Sequence, residues 1–175
     1  MLAAPSATDE PSVGATAIAG GVDCVRRAEW LLRHGAREIL VLPEQAAVPQ
    51  RVLIHWMGDA ARSATLAVSA SVLRHVAAEA VYVGIFPEER AGEHQRHGLR
   101  ELLDARSEAQ LAHGLEMRTE LRFGDVASEL ARRLAEAPAQ MLIVGLTSLS
   151  GFATSFRALL ESGQRPVLIV YRAAS

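Results

Sequence analysis

From Arg51 to the carboxyl end, short apolar runs alternate with longer stretches in which apolar residues return every third or fourth position. Runs of the first kind read as strands, and stretches of the second kind as helices with one buried face. Val52 to Trp56, Ala80 to Phe86, Met141 to Val144 and Val167 to Tyr171 are the apolar strands. Glu116 to Phe123 alternates instead, with Met117, Thr119, Leu121 and Phe123 on one side, which predicts a half-exposed strand near a sheet edge. Between the strands, Leu66, Ala70, Leu73 and Ala77 share one helical face, as do Leu102, Ala105, Ala109 and Ala112 in a helix over Leu99 to His113. Glu88 to Gly98 reads as a solvated loop or helix start. Gly58 turns the chain after the first of these strands, and Asp59 and Asp125 are placed to cap the helices that follow them. Thr154 or Ser155 caps the last helix, which Gly163 ends. The order is β-α-β-α-β-α-β-α-β. It predicts an α/β fold: an open five-stranded parallel sheet with helices on both faces. Right-handed crossovers then bring the loops after Trp56, Phe86, Phe123 and Val144 to one rim.

The residues before Arg51 predict a flexible tail over 1–13 and a helix-strand extension over 14–50. Ala15 to Ala19 is a short apolar run ended by Gly20-Gly21. Asp23 can cap a helix from Cys24 to His34 that Gly35 stops, Glu38 to Leu42 reads as a strand, and Pro43 to Gln50 as a connector. Ala28 to Glu44 aligns without a gap to Phe156 to Arg172: Leu31-Leu32 fall on Leu159-Leu160, Gly35 on Gly163, Arg37 on Arg165, and Ile39 to Val41 on Val167 to Ile169. We read this as a partial duplication, with the extension echoing the last helix and strand of a second unit.

Composition narrows the function. Half the residues are apolar and the net charge is -2, so no long-range field favours nucleic acid or an acidic membrane surface. Every basic residue is Arg, and the missing Lys excludes a Lys-dependent phosphate loop or Schiff base. The single cysteine, Cys24, lies in an apolar-periodic segment and reads as a buried structural thiol. No apolar run has membrane-spanning length and the amino end lacks a charged leader pattern, so a cytoplasmic protein without membrane insertion is expected.

The stretches L-R-F-G-D-V-A-S-E-L, M-L-I-V-G and R-P-V-L-I-V, taken with the β-α order from Arg51, resemble the universal stress protein family. The resemblance implies an open five-stranded parallel sheet and, in many members, ATP binding. It also implies dimers that meet through the last strand, here Val167 to Tyr171. In binders an Asp follows the first strand and holds the base. The loop after the fourth strand there runs Gly, two residues, Gly, nine residues, Gly and Ser or Thr. This chain has Met57 where the Asp would stand. Its loop opens with Gly145, but Ser148 takes the second glycine's place and Ala153-Thr154 fall on the final pair, with only four residues between Ser148 and Ala153. Fewer glycines mean fewer backbone N–H groups able to approach phosphate.

The candidate nucleotide or anion rim is Gly58, Ile85, Gly145, Ser148, Gly151, Thr154 and Ser155, and Thr147 and Ser150 add hydroxyls to it. ATP or AMP are the cofactors that rim could take, although loss of ATP binding is the expectation. No catalytic or metal-binding residue is assigned. His94 and His97 share a helical face with no third strong ligand, and His55, inside the first main strand, reads as a core or interface histidine. Arg26-Arg27 and Arg132-Arg133 read as solvated helix pairs. The G-x-S-x-G elbow and the Walker pattern are absent from the sequence. The expected function is that of a regulatory, stress-type protein, not an enzyme, acting as a homodimer and through a protein partner, with no nucleic acid bound. The alternative is an ATP or AMP sensor module, conceivably regulating a transporter.

Overall fold

Strands and helices form where the periodicity places them. The computed structural model describes residues 15–21, 23–87, 91–136, 140–150, 152–162 and 164–173, with side chains left undescribed at 91–95 and 153–155. The chain runs β1(Thr16–Ala19), α1(Cys24–Arg33), β2(Glu38–Leu42), β3(Arg51–Met57), α2(Asp59–Leu73), β4(Glu79–Phe86), α3(Ala91–His113), β5(Arg118–Phe123), α4(Val126–Ala135), β6(Gln140–Leu146), α5(Phe152–Glu161) and β7(Val167–Tyr171). α3 begins at Ala91, so the helix-start alternative for the stretch before Leu99 holds from Ala91 on. Asp125 caps α4 as expected, its Oδ2 accepting from the Ser128 N–H at 2.9 Å. Asp59 does not cap α2: it is the first helical residue, and the N-cap is Gly58 with no side-chain bond. Asp23 makes no cap bond either and pairs with Arg26 at 3.0 Å. α5 starts at Phe152, so Thr154 and Ser155 lie inside its first turn rather than at its cap. The expected tail at 1–13 and the helix end at Gly163 lie outside the described residues.

Residues 51–175 build the five parallel strands expected, in the order β7-β6-β3-β4-β5. The extension adds two more, giving a seven-stranded sheet ordered β1-β2-β7-β6-β3-β4-β5. It is strand-helix-strand, not helix-strand: the short run before Gly20 becomes β1, parallel to β2. Two apolar layers flank the sheet. One joins Leu53, Val83, Val144 and Ile169 to Leu32 of α1, Leu130 of α4 and Phe156 of α5. The other joins Ile54, Tyr82, Ile143 and Leu168 to Leu66 of α2 and Ala105 of α3. Alternate strand residues feed alternate layers, as a pleated strand requires.

β2 pairs antiparallel with β7, matching Glu38 to Val170, Ile39 to Ile169, Leu40 to Leu168 and Val41 to Val167. Under the offset that carries Cys24 to Phe152, this register maps onto itself, with Leu40 and Leu168 on the axis. The ten-residue helices α1 and α5 start at equivalent positions and pack beside each other on one face. The extension and the last βαβ unit are thus related by a local two-fold axis inside one chain. The outer edge of β7 is consequently occupied, and a homodimer through that strand would have to displace β2.

α4 is tied to β5 by charge as well as apolar contact. Arg133 is buried and grips Glu120 with two bonds of 2.7 and 2.8 Å. The pair Arg132-Arg133 is therefore split: Arg132 is exposed, and Arg133 is an internal clamp. The Arg133 guanidinium holds the Glu120 carboxyl below the usual range.

Candidate functional site

Parallel α/β sheets place ligands where the chain order reverses, beyond the carboxyl ends of the strands. Here the reversal lies between β3 and β6: β3 leads through α2 to β4 on one side, and β6 leads through α5 to β7 on the other. The crevice is bounded by Met57, Gly58 and Asp59 on one side and Leu146 to Ser150 on the other, with Ile85 and Phe86 at the end of β4.

The two walls touch. Thr147 Oγ1 donates to the Met57 carbonyl at 3.2 Å. Gly58 has φ +89, and a Cβ there would stand 2.6 Å from the same Thr147 oxygen. Glycine is required at this turn on both counts. The Thr147 side chain therefore bridges the crevice instead of lining an open one. The next hydroxyl is also spent locally, since Ser148 Oγ accepts from the Ser150 N–H at 3.0 Å. Leu149 packs onto the apolar layer, and the Phe152 N–H closes a turn on its carbonyl at 3.2 Å. Phe152 is buried and stacks on Phe156 at 5.7 Å, which pins the start of α5 to the core.

The other expected rim residues divide. Gly145 is a buried β6 residue whose missing side chain makes room for α2: a Cβ would lie 2.0 Å from Thr65 Oγ1. Ile85 is half-buried against the α4 layer. Met57, with 38% of its surface exposed, stands where the resemblance would put an acid. Gly151 lies outside the described residues, as do the side chains of Thr154 and Ser155. The guanidinium of Arg172, whose backbone N–H bonds the Leu146 carbonyl at 2.9 Å, points to Glu38 at 3.0 Å and is already paired. An anion at this rim would rest on helix-terminal N–H groups.

His55 sits one pleat behind the rim and is buried. Its Nδ1 donates to the Val83 carbonyl at 2.8 Å, which fixes the tautomer, while Nε2 is buried with no hydrogen-bond partner. Burial drives its pKa down to about 4, against a smaller upward pull from Val83. The ring is neutral at ordinary pH. The expected core histidine is found, with half its bonding capacity unused. Sequence patterning does not reveal the Thr147 bridge, because a hydroxyl that joins two loops looks the same in sequence as one that waits for a ligand.

Among the described residues no group of three or more His, Cys, Asp or Glu could hold a metal. His97 is exposed and meets Phe86 edge-on at 6.3 Å, and the His94 side chain is outside the described set. Cys24 is buried, and burial raises its thiol pKa, as a structural cysteine requires. No helix among the described residues is long and apolar enough to cross a membrane.

No protein-family model and no curated protein matches this sequence. Solved structures do match its fold. A universal stress protein from Archaeoglobus fulgidus DSM 4304 superposes with a TM-score of 0.61 at 12% identity, over 91% of this chain. The chain spans 61% of that longer protein. The universal stress protein from Archaeoglobus fulgidus in complex with dAMP superposes at 0.54 with 17% identity, covering 72% of this chain and 99% of its own. A universal stress protein family member from Burkholderia pseudomallei gives 0.53 at 19% identity, covering 69% and 96%. At these identities the likeness establishes the fold: this chain has the α/β architecture of universal stress proteins. The shorter structures match a portion the size of residues 51–175, whereas the longer one also takes in much of the extension.

Proposed function

We propose that the chain is a divergent, non-enzymatic member of the universal stress protein family that works through protein association, with its triphosphate site lost. The observation that carries this reading is the bridged crevice. Thr147 is bonded to the Met57 carbonyl across the switch point, where a nucleotide would enter. Met57 offers a thioether where a base would need a hydrogen-bonding acid, and Ser148 Oγ is bonded within its own loop. Each missing charge-assisted bond costs binding about 1.5–3 kcal/mol, so three of them, or two at the upper end of that range, move a micromolar ligand to the millimolar range or weaker. Isothermal titration of the full chain with ATP, AMP and phosphate tests this. The expected result is no ATP binding below the millimolar range, and micromolar ATP affinity would overturn the reading.

A second reading has one observation in its favour. A neighbour of the same fold is described in complex with dAMP. A nucleoside monophosphate needs fewer phosphate donors than ATP, and the N-termini of α2 and α5 could supply them. Micromolar AMP binding without ATP binding in the same titration would select this sensor role.

A further inference from the structure

The sheet has two edges among the described residues, β1 and β5, and their chemistry differs. β5 carries Arg118, Glu120 and Arg122, all ion-paired, and charge along an edge keeps other strands away. β1, Thr16–Ala19, carries no charge. Beside β1, α1 presents Trp30, 57% exposed, over a shallow hollow of about 380 Å³ that Arg26, Arg27 and Leu31 also line. Arg26 is neutralised by Asp23 at 3.0 Å, and Arg33 on the same helix by Glu29 at 2.7 Å. What remains is the Trp30 ring, stacked on His34 at 4.1 Å, with Arg27 beside it, next to an uncharged strand edge.

The internal two-fold axis gives this surface a counterpart. The offset that lays α1 on α5 carries Trp30 to Ala158 and Leu31 to Leu159. Ala158 and Leu159 line the groove that α4 closes with Ala131, Leu134 and Ala135. The strand β6, counterpart of β1, is likewise covered on its far side by β3. The same flank of α1 and the same edge of β1 have no covering element among the described residues.

We propose that this surface binds a second copy of the chain: β1 pairs antiparallel with β1 of the other copy, and the two α1 helices pack across a two-fold axis through their Trp30 flanks. The junction geometry already exists within the molecule, where β2 and β7 pair antiparallel and α1 and α5 lie side by side. Each of those helices covers its own pair of strands, so helices over adjacent pairs stand two strand spacings apart, roughly 9.6 Å. That falls within the ~8–10 Å at which helices pack. Setting β1 against β1 repeats the spacing and seats each Trp30 against the other copy's hollow. Directly opposed strand residues point to the same face, so the axis must pass through a residue, Ala17 or Ile18, as it passes through Leu40 and Leu168 inside the chain. A two-fold interface needs one surface that fits itself, and an uncharged edge beside a Trp meets that condition. The proposal stands independently of what the rim binds.

A four-residue strand makes few bonds, so the dimer should be weak, with a micromolar dissociation constant. Sedimentation equilibrium of the full chain across the micromolar range should show reversible monomer and dimer. Trp30→Glu and Ala17→Lys each alter an exposed position, one on the helix and one on the strand edge. Each should weaken dimerisation roughly tenfold or more, with an unchanged circular dichroism spectrum and urea midpoint. Should either variant fail to fold, the other still reads the interface. A monomer at every concentration overturns the proposal, and so does a dimer whose constant neither substitution moves.

Discussion

His55 shows how a single buried ring sets a pH dependence. Its folded pKa of about 4 lies below the value of 6.5 that it recovers on unfolding. Between those two pH values the unfolded chain binds a proton that the folded chain refuses, so stability is full above pH 6.5 and falls as pH drops toward 4. At pH 5 the loss relative to pH 7.5 should be about 2 kcal/mol from this residue. The carboxyls of Glu120, Asp125 and Glu129, all held below their usual range by hydrogen bonds, add losses of the same sign at lower pH. Urea unfolding at the two pH values checks the claim. The native chain should lose stability at pH 5, and His55→Gln should lose much less. Equal losses in both would show that the ring does not carry the effect.

At the scale of elements, the close approach of α2 to β6 depends on Gly145. A Cβ there would meet Thr65 Oγ1 at 2.0 Å, the Trp56 Cβ at 3.1 Å and the Ala61 Cβ at 3.2 Å. Gly145→Ala should therefore destabilise the chain by about 2–4 kcal/mol through overpacking. Thr65→Ala removes the worst clash, so the double variant should recover part of that loss, and denaturant melts of the four proteins form the cycle that measures it. Additive losses would mean that the two residues are uncoupled. The sequence showed a glycine at the end of an apolar run before a polar loop, and a glycine for phosphate and a glycine for a helix are identical at that level. The distinction lies in Thr65, a residue far away in sequence and at an unremarked helical position. Elements themselves were legible wherever period and length agreed, as in β3, β4, β6 and β7. β1 does not read as a strand in sequence, because a short run bounded by glycines carries little periodicity and becomes a strand only when β2 lies beside it. Arg133 reads as solvated in sequence because its partner Glu120 sits on another element. The rim followed from the β-α order, but the bond that bridges it is a tertiary contact with no local signature.

For the molecule as a whole, the extension supplies from within one chain the strand and helix that cover the last βαβ unit. β2 saturates the outer edge of β7, and Cys24, Val25, Ala28 and Leu32 of α1 share one apolar layer with Phe152, Phe156 and Leu160 of α5. Removing residues 1–50 would leave β7 as an uncharged, unpaired edge, with a bare flank of α5 above it. An exposed apolar edge of this kind recruits another strand or aggregates. The remaining chain has an equivalent partner at hand in a second copy of itself. β7 could pair antiparallel with β7 of that copy about Leu168, in the register β2 now holds, and α5 could pack on α5 where α1 now lies. Light scattering on the truncated chain should therefore show a dimer more stable than any formed by the full chain, or loss of solubility. Sheet and helix content by circular dichroism should remain at the level residues 51–175 contribute. The truncated chain still has β5 and its ion pairs, so this new association must come from the β7 side. An equally soluble monomer would show that the extension does not cover an adhesive edge.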